Sequence, residues 1–197
     1  IHKGGPAPRR LSQPVPEPEA VPAEVGDVSG LELILVEQES QMRIWNELMI
    51  GEHPQGAGPL VGRQIRYLIG SAHGWLAGFG FAAPALQLAD RDRWIGWDSE
   101  QRRAHLQGVL CLSRFLIRPS VECRNLASRL LSMSLQQVVE DFQRRYHYRP
   151  WLVESFLDTS RFSGASYRAA NWILVGQTKG RGRQDRFSQW EKTIKDI

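Results

Sequence analysis

The sequence predicts an α+β domain in which a central mixed β-sheet is flanked by helices, and three observations carry that prediction. Short apolar runs bounded by Gly, Pro, Asp or Ser recur along the chain, LELILVE (31–37) and WLVESFLD (151–158) among them, as strands require. Two stretches, QESQMRIWNELMIGEH (38–53) and CRNLASRLLSMSLQQVVEDFQRRY (123–146), place their apolar residues at helical spacing. Around a central pair of β-rich runs the two kinds of element alternate, giving the order β-α-β-β-(α)-β-α-β-α-β.

Each element has its own warrant. Residues 1–30 alternate Pro with Glu, Ala and Val and show neither strand nor helix period, so they read as a disordered linker that buries too little to offset its ordering entropy. Leu31 to Glu37 alternates as a strand; Met42, Trp45, Leu48 and Met49 then fall on one helical face, with Ser40 as the expected N-cap. The uncharged stretch Tyr67–Ala89 is long enough for a membrane helix, but it holds Ser71, His73, Pro84 and four glycines. It reads instead as a hairpin, Arg63–Ile69 and Trp75–Ala82 joined at Gly70–Gly74. DSEQRRAHLQGV (98–109) makes a short helix, LCLSRFLIRP (110–119) a strand, and 123–146 the long amphipathic helix. RPWLVESFLD (149–158) is the next strand, FSGASYRAAN (162–171) a short helix, and WILVGQT (172–178) the final strand. Residues 31–178 thus form the domain, and 179–197, beginning KGRGRQDR, form a basic tail.

Composition narrows the function classes. A net charge of +4 and a pI near 9.4 suit an anionic partner, either nucleic acid or an anionic cofactor. Cys111 and Cys123 lie in no C-x-x-C spacing, which fits a reducing, cytoplasmic setting. The histidines, at 2, 53, 73, 105 and 147, form no H-x-x-x-H pair, so no metal site is expected, and no DDE-type nuclease cluster is placed. No signal or transit pattern is read at the N-terminus and no membrane partner is expected.

The stretch FLIRPSVECRNLASRLL (115–131) is a strand that runs through Pro119 and a short turn into a helix, a place where free amides and the helix dipole commonly hold a phosphate. With the central hairpin before it, this order resembles the GCN5-related N-acetyltransferase fold. In that family the strand leads into a Q/R-x-x-G-x-G/A loop that holds the pyrophosphate of coenzyme A. Here Glu122, Asn125 and Ala127 fall on those positions, and YRAANWILVG puts Tyr167, Asn171 and Trp172 on the later Y-x-x-x-G-F pattern. The resemblance implies a cofactor site at Ile117, Asn125, Leu126, Ala127, Ser128 and Asn171, with coenzyme A or acetyl-CoA as its occupant. It also implies Tyr167 as general acid and Glu154, on the strand WLVESFLD, as general base. The plainer readings are a tyrosine capping a buried hydrogen bond and a glutamate paired to an arginine. The departures from the pattern matter: Glu122 brings a carboxylate toward a diphosphate, and Asn tolerates positive φ but not close approach of a ligand. The degenerate cradle therefore predicts that coenzyme A binds weakly or not at all.

A second resemblance covers nearly the whole ordered part. VGRQIRYLIGS, RDRWIGWD, SRFLIRPSVECRNLASRLL, the stretch from YHYRPWLVES to GQTKGRGR, and the terminal TIKDI look like the Druantia anti-phage system protein DruA family, a transposase-associated domain of unknown function. The resemblance implies a middle part of a longer protein, nucleic acid as partner, and other defence or transposition proteins as companions. It departs at GEHPQG, where Glu52 stands before His53 in place of a second histidine. Arg91 and Arg93 beside Trp94 and Trp97, and Lys179, Arg181, Arg183 and Arg186 in the tail, are the cations expected to meet phosphates. An active acyl-CoA-dependent N-acyltransferase is the alternative expectation.

Overall fold

The computed structural model describes residues 8–178 and 194–197. Strands β1 (Glu32–Leu35), β2 (Ile65–Ser71), β3 (Gly74–Ala82), β4 (Val109–Ile117) and β5 (Leu152–Ser155) form one open sheet in that spatial order. Neighbours from β1 to β4 are antiparallel, and β5 lies parallel to β4. The mixed sheet is as predicted, and these two strands run parallel, as the resemblance to the acetyltransferase fold implies. They pair only through Val109–Leu112 and Leu152–Ser155, so the second half of β4 has no β5 beside it.

Alternation along β2 sends Ile65, Tyr67 and Ile69 to one face and Arg66, Leu68 and Gly70 to the other. Helix α4 (Leu126–Tyr146) covers the first face with Leu126, Leu130, Val138 and Phe142. There the Tyr67 hydroxyl donates to Asp141 at 2.6 Å, which satisfies a carboxylate that would otherwise be costly to bury. Helix α1 (Glu39–Glu52) covers the second face with Trp45, Leu48 and Met49. Fully burying a side chain of this size contributes about 1.5–3 kcal/mol. Glycine in β3 permits the approach: a Cβ on Gly78 would stand 2.7 Å from Met49 Cε. The Trp45 indole reaches across to donate to the Phe79 carbonyl at 2.9 Å. Helices α2 (Ala89–Ile95), α3 (Ser99–His105) and α5 (Ala165–Ala169) complete the structure.

Four sequence expectations are corrected. Residues 8–30 are not a disordered linker: they lie across the domain as a strap, burying Val15 and Val28 and forming a 3-10 turn at Val25–Asp27. Its backbone groups find partners on the domain, with Asn46 donating to the Arg9 carbonyl at 2.9 Å, Arg118 to that of Pro16 at 2.6 Å, and the Arg124 amide to that of Ala23 at 2.7 Å. Prolines restrict the unfolded chain, so ordering this segment costs less entropy than its lack of periodicity suggests. The α1 N-cap is Gln38, not Ser40, and it forms a capping box with Gln41. Helix α2 was not predicted. Residues 172–178 form no strand, and the last residues are not free tail: Val175 donates to the Ile197 carbonyl at 3.0 Å, Thr178 to that of Lys195 at 2.8 Å, and Asp196 exchanges two 2.9 Å bonds with Leu157.

Candidate functional site

Glu154 stands on β5 opposite Cys111 of β4, and its side chain turns toward the loop that leads into α2. Its Oε1 accepts from the Ala85 amide at 2.7 Å and its Oε2 from Arg91 at 2.8 Å. Arg91, only 1% exposed, also donates to Asp92 at 2.7 and 2.9 Å and to the Ala85 carbonyl at 2.9 Å. Asp92 in turn accepts from Arg102 at 3.0 Å. Burial raises the Glu154 carboxyl above the ordinary carboxylate range, against the pull of the Ala85 amide and the Arg91 charge. The carboxylate predicted as a general base is thus held by the plainer arrangement, an ion pair. Arg91, expected to meet phosphate, is enclosed in the same network and presents no donor at a surface. Arg93 is exposed and paired with Asp90 at 2.9 Å.

Adjacent strand residues point to opposite faces, so Ser155 turns the other way, toward α5. Its hydroxyl lies 2.8 Å from that of Tyr167, whose ring packs edge-on against Phe115 and Trp172 at 5.8 and 5.0 Å. Burial pushes the Tyr167 hydroxyl up to about 12. The two residues predicted to work as acid and base therefore occupy opposite sides of the sheet edge. Between them, beyond β5, lies an open cleft of about 370 Å³ to which Glu154, Ser155 and Trp172 all contribute.

The turn from β4 into α4 has the left-handed geometry that its sequence pattern anticipates. Asn125 has φ 61° at the helix N-cap and Asn171 has φ 59°, the two positions where the resemblance called for glycine. Ile117 ends β4, Leu126 is buried, and Ala127 and Ser128 are half-buried in the first turn, where the Ser128 hydroxyl donates back to the Asn125 carbonyl at 3.1 Å. The strap lies against the same turn. Glu17 accepts from Ser120 at 2.5 Å and from Arg118 at 2.9 Å, and Glu24 pairs with Arg124. Carboxylates of the chain itself stand where a diphosphate would need to approach. Arg118, 1% exposed, completes its bonding with Glu52 at 2.8 Å, which gives the glutamate of GEHPQG a structural partner.

A third group of residues escaped sequence reasoning. Arg66, Gly80 and Arg114 are paired directly across three adjacent strands, so two arginines share one face about 10 Å apart at the strand spacing. At an effective dielectric near 20, their repulsion is on the order of 1–2 kcal/mol. Arg114 donates only to uncharged acceptors, the Gly56, Gly58 and Ser113 carbonyls and the Gln55 amide oxygen. Arg66 stacks over Trp45 at 4.9 Å with its Nε buried and unpartnered, and Gln64 Oε1 is likewise buried and unpartnered. Arg63 lies over the Tyr148 and Tyr146 rings at 5.0 and 5.8 Å. Burial, then the charges of Arg114 and Arg145, lower the Arg66 guanidinium. His53 is pushed down to about 4 by burial first and then by Arg114, Arg161 and Lys195, while its Nδ1 accepts from the Gln55 amide at 3.1 Å. Among the described residues, Arg63, Arg66, Arg114 and Arg145 take part in no ion pair. The signal in the sequence was faint: an arginine at an inward position of two strands that otherwise read as apolar.

Lys179, Arg181, Arg183 and Arg186 lie outside the described residues. Among those described, no helix is long and apolar enough to cross a membrane. Comparison of the chain with curated proteins finds no match. The family model described as Druantia protein DruA matches residues 7–196, from the strap through the C-terminal segment wedged beside Leu157. A match of that extent takes in the sheet, both covering helices and every group of residues described above, and the chain belongs to the DruA family.

Proposed function

We propose that this domain binds nucleic acid for the Druantia anti-phage system, using an acetyltransferase-like sheet as a scaffold rather than as a coenzyme A-dependent catalyst. One observation carries the reading: the band formed by Arg63, Arg66, Arg114 and Arg145 has no carboxylate partner among the described residues, although ion pairs abound elsewhere. A fold that holds like charges together across a strand has a reason to do so, and a phosphodiester backbone supplies the missing counter-charge. The rings of Tyr146 and Tyr148 support Arg63 and that of Trp45 supports Arg66, and the exposed Arg63 guanidinium stacked on aromatic faces keeps its in-plane donors free for phosphate oxygens. The sequence of the following segment adds Lys179, Arg181 and Arg183 to the cationic total, and other defence or transposition proteins are the domain's companions.

A second reading, N-acyl transfer from acyl-CoA, is favoured by the left-handed Asn125 and Asn171 and by the Tyr167 hydroxyl. Glu17 and Glu24 against the α4 turn, and the opposed faces of Glu154 and Tyr167, weigh against it. Filter binding of duplex DNA across a salt series, with acetyl-CoA calorimetry on the same protein, separates the two. Under the nucleic-acid reading, log affinity falls linearly with log salt, by about 0.9 for each phosphate contacted, and no acetyl-CoA heat is seen. Micromolar acetyl-CoA binding with no measurable DNA binding at low salt would reverse the order.

A further inference from the structure

The cleft beyond β5 is walled by residues that a purely structural pocket would not expose. Trp94 and Trp151 line it while remaining 49% and 55% exposed, and Leu135, Val139 and Ile173 complete an apolar wall. The Trp151 ring is held in place. It meets Trp97 edge-on at 5.6 Å, and it lies against Gly108, where any Cβ would collide with the indole. Trp97 is itself stacked with His105 at 6.2 Å, so the platform is fixed from behind. Asn171 lines the same cleft, exposed and with no side-chain partner among the described residues, and its amide carries one donor group and one acceptor. Ile197 also lines it, two residues from Lys195, whose charge bears on His53 at the end of the cationic band.

We infer that this cleft takes an unstacked nucleobase from a single strand whose phosphates lie along the arginine band. The inference rests on the nucleic-acid reading given above and adds the part of the ligand recognised. Two observations select a base over an aliphatic occupant: indole faces for stacking, that of Trp151 held in place, and an unpartnered amide able to meet a base edge. An apolar cleft with a few convergent polar groups is also the usual form of a site for a small planar ligand. The Arg91–Glu154 pair at its floor is internally satisfied, so it shapes the cleft without competing for the ligand.

The test uses the full chain, a fluorescein-labelled oligo(dT) strand and a duplex of equal length, read by anisotropy. Trp94→Ala and Trp151→Ala should each weaken oligo(dT) binding roughly tenfold while duplex affinity stays within about twofold, and Trp151→Phe should recover most of the loss. Thermal melting of every variant checks the fold. Should Trp151→Ala fail to fold, Trp94→Ala alone decides the matter, because the Trp94 ring makes no aromatic contact that holds the domain together. Equal losses on strand and duplex, or none on the strand, overturn the inference while leaving salt-dependent duplex binding, and so the broader reading, intact. Absence of any binding at low salt overturns both.

Discussion

Two sets of arginines divide this molecule. Arg91 and Arg118 are each 1% exposed and each meets carboxylates at 2.7–2.9 Å, as an interior charge must if it is not to destabilise the fold. Arg66 and Arg114 are also largely buried, on the face covered by α1, yet they meet an indole ring, carbonyls and an amide oxygen. The first set closes the structure: it ties α2 to β5 and the strap to β4. The second has no carboxylate opposite it among the described residues, and Arg63 and Arg145 are its exposed members. The difference teaches that burial of an arginine says little about its role; the chemistry of its acceptors does.

The comparison predicts different consequences for the two sets. The largest effect belongs to the closed one. Arg91→Met leaves Glu154 buried without its cation and Asp92 with Arg102 alone, and should cost about 3–5 kcal/mol, read as a lowered urea midpoint. A cost below about 1 kcal/mol would mean that the network is not the structural device described. A smaller effect belongs to His53. Its folded value of about 4 lies below the usual 6.5, so the fold binds fewer protons than the unfolded chain. Its contribution is fully present above pH 6.5 and is lost as pH falls through that value toward 4. Urea midpoints should decline over this window, and His53→Asn should flatten the decline. An unchanged pH profile in the variant would place the acid sensitivity elsewhere.

What was legible in the sequence follows the same division. Period and turn chemistry located the hairpin and the long helix, because each rests on local patterns in a single stretch of chain, whereas the parallel pairing of β4 with β5 joins distant strands and followed only from the acetyltransferase resemblance. The strap was illegible: its apolar residues, Leu11, Val15, Val21, Val25 and Val28, are interrupted by Pro14, Pro16, Pro18 and Pro22, which forbid a continuous helix or strand, and the segment is held by acceptors offered to Arg118 and Arg124 far along the chain. The final strand failed for the opposite reason, since Trp172–Thr178 has a strand-like composition but finds Lys195–Ile197 in place of a sheet edge. At the site, Tyr167, Glu154 and Arg91 were picked out by residue type, yet their neighbours decided what each does. Arg66 and Arg114 carried almost no signal, since only the register across Gly80 brings them together.

The claim that the unpaired set exists to meet phosphates is tested most directly by Arg63→Ala with Arg145→Ala. Both side chains are exposed and neither takes part in an ion pair among the described residues, so the fold should survive, with the melting temperature lowered only slightly by loss of the Arg63 contacts with Tyr146 and Tyr148, about 0.5–1 kcal/mol each. Affinity for duplex DNA, measured across a salt series beside the unaltered protein, should show a log–log slope shallower by about one unit for each lost contact, about two in all. An unaltered slope in a variant that stays folded would contradict the account.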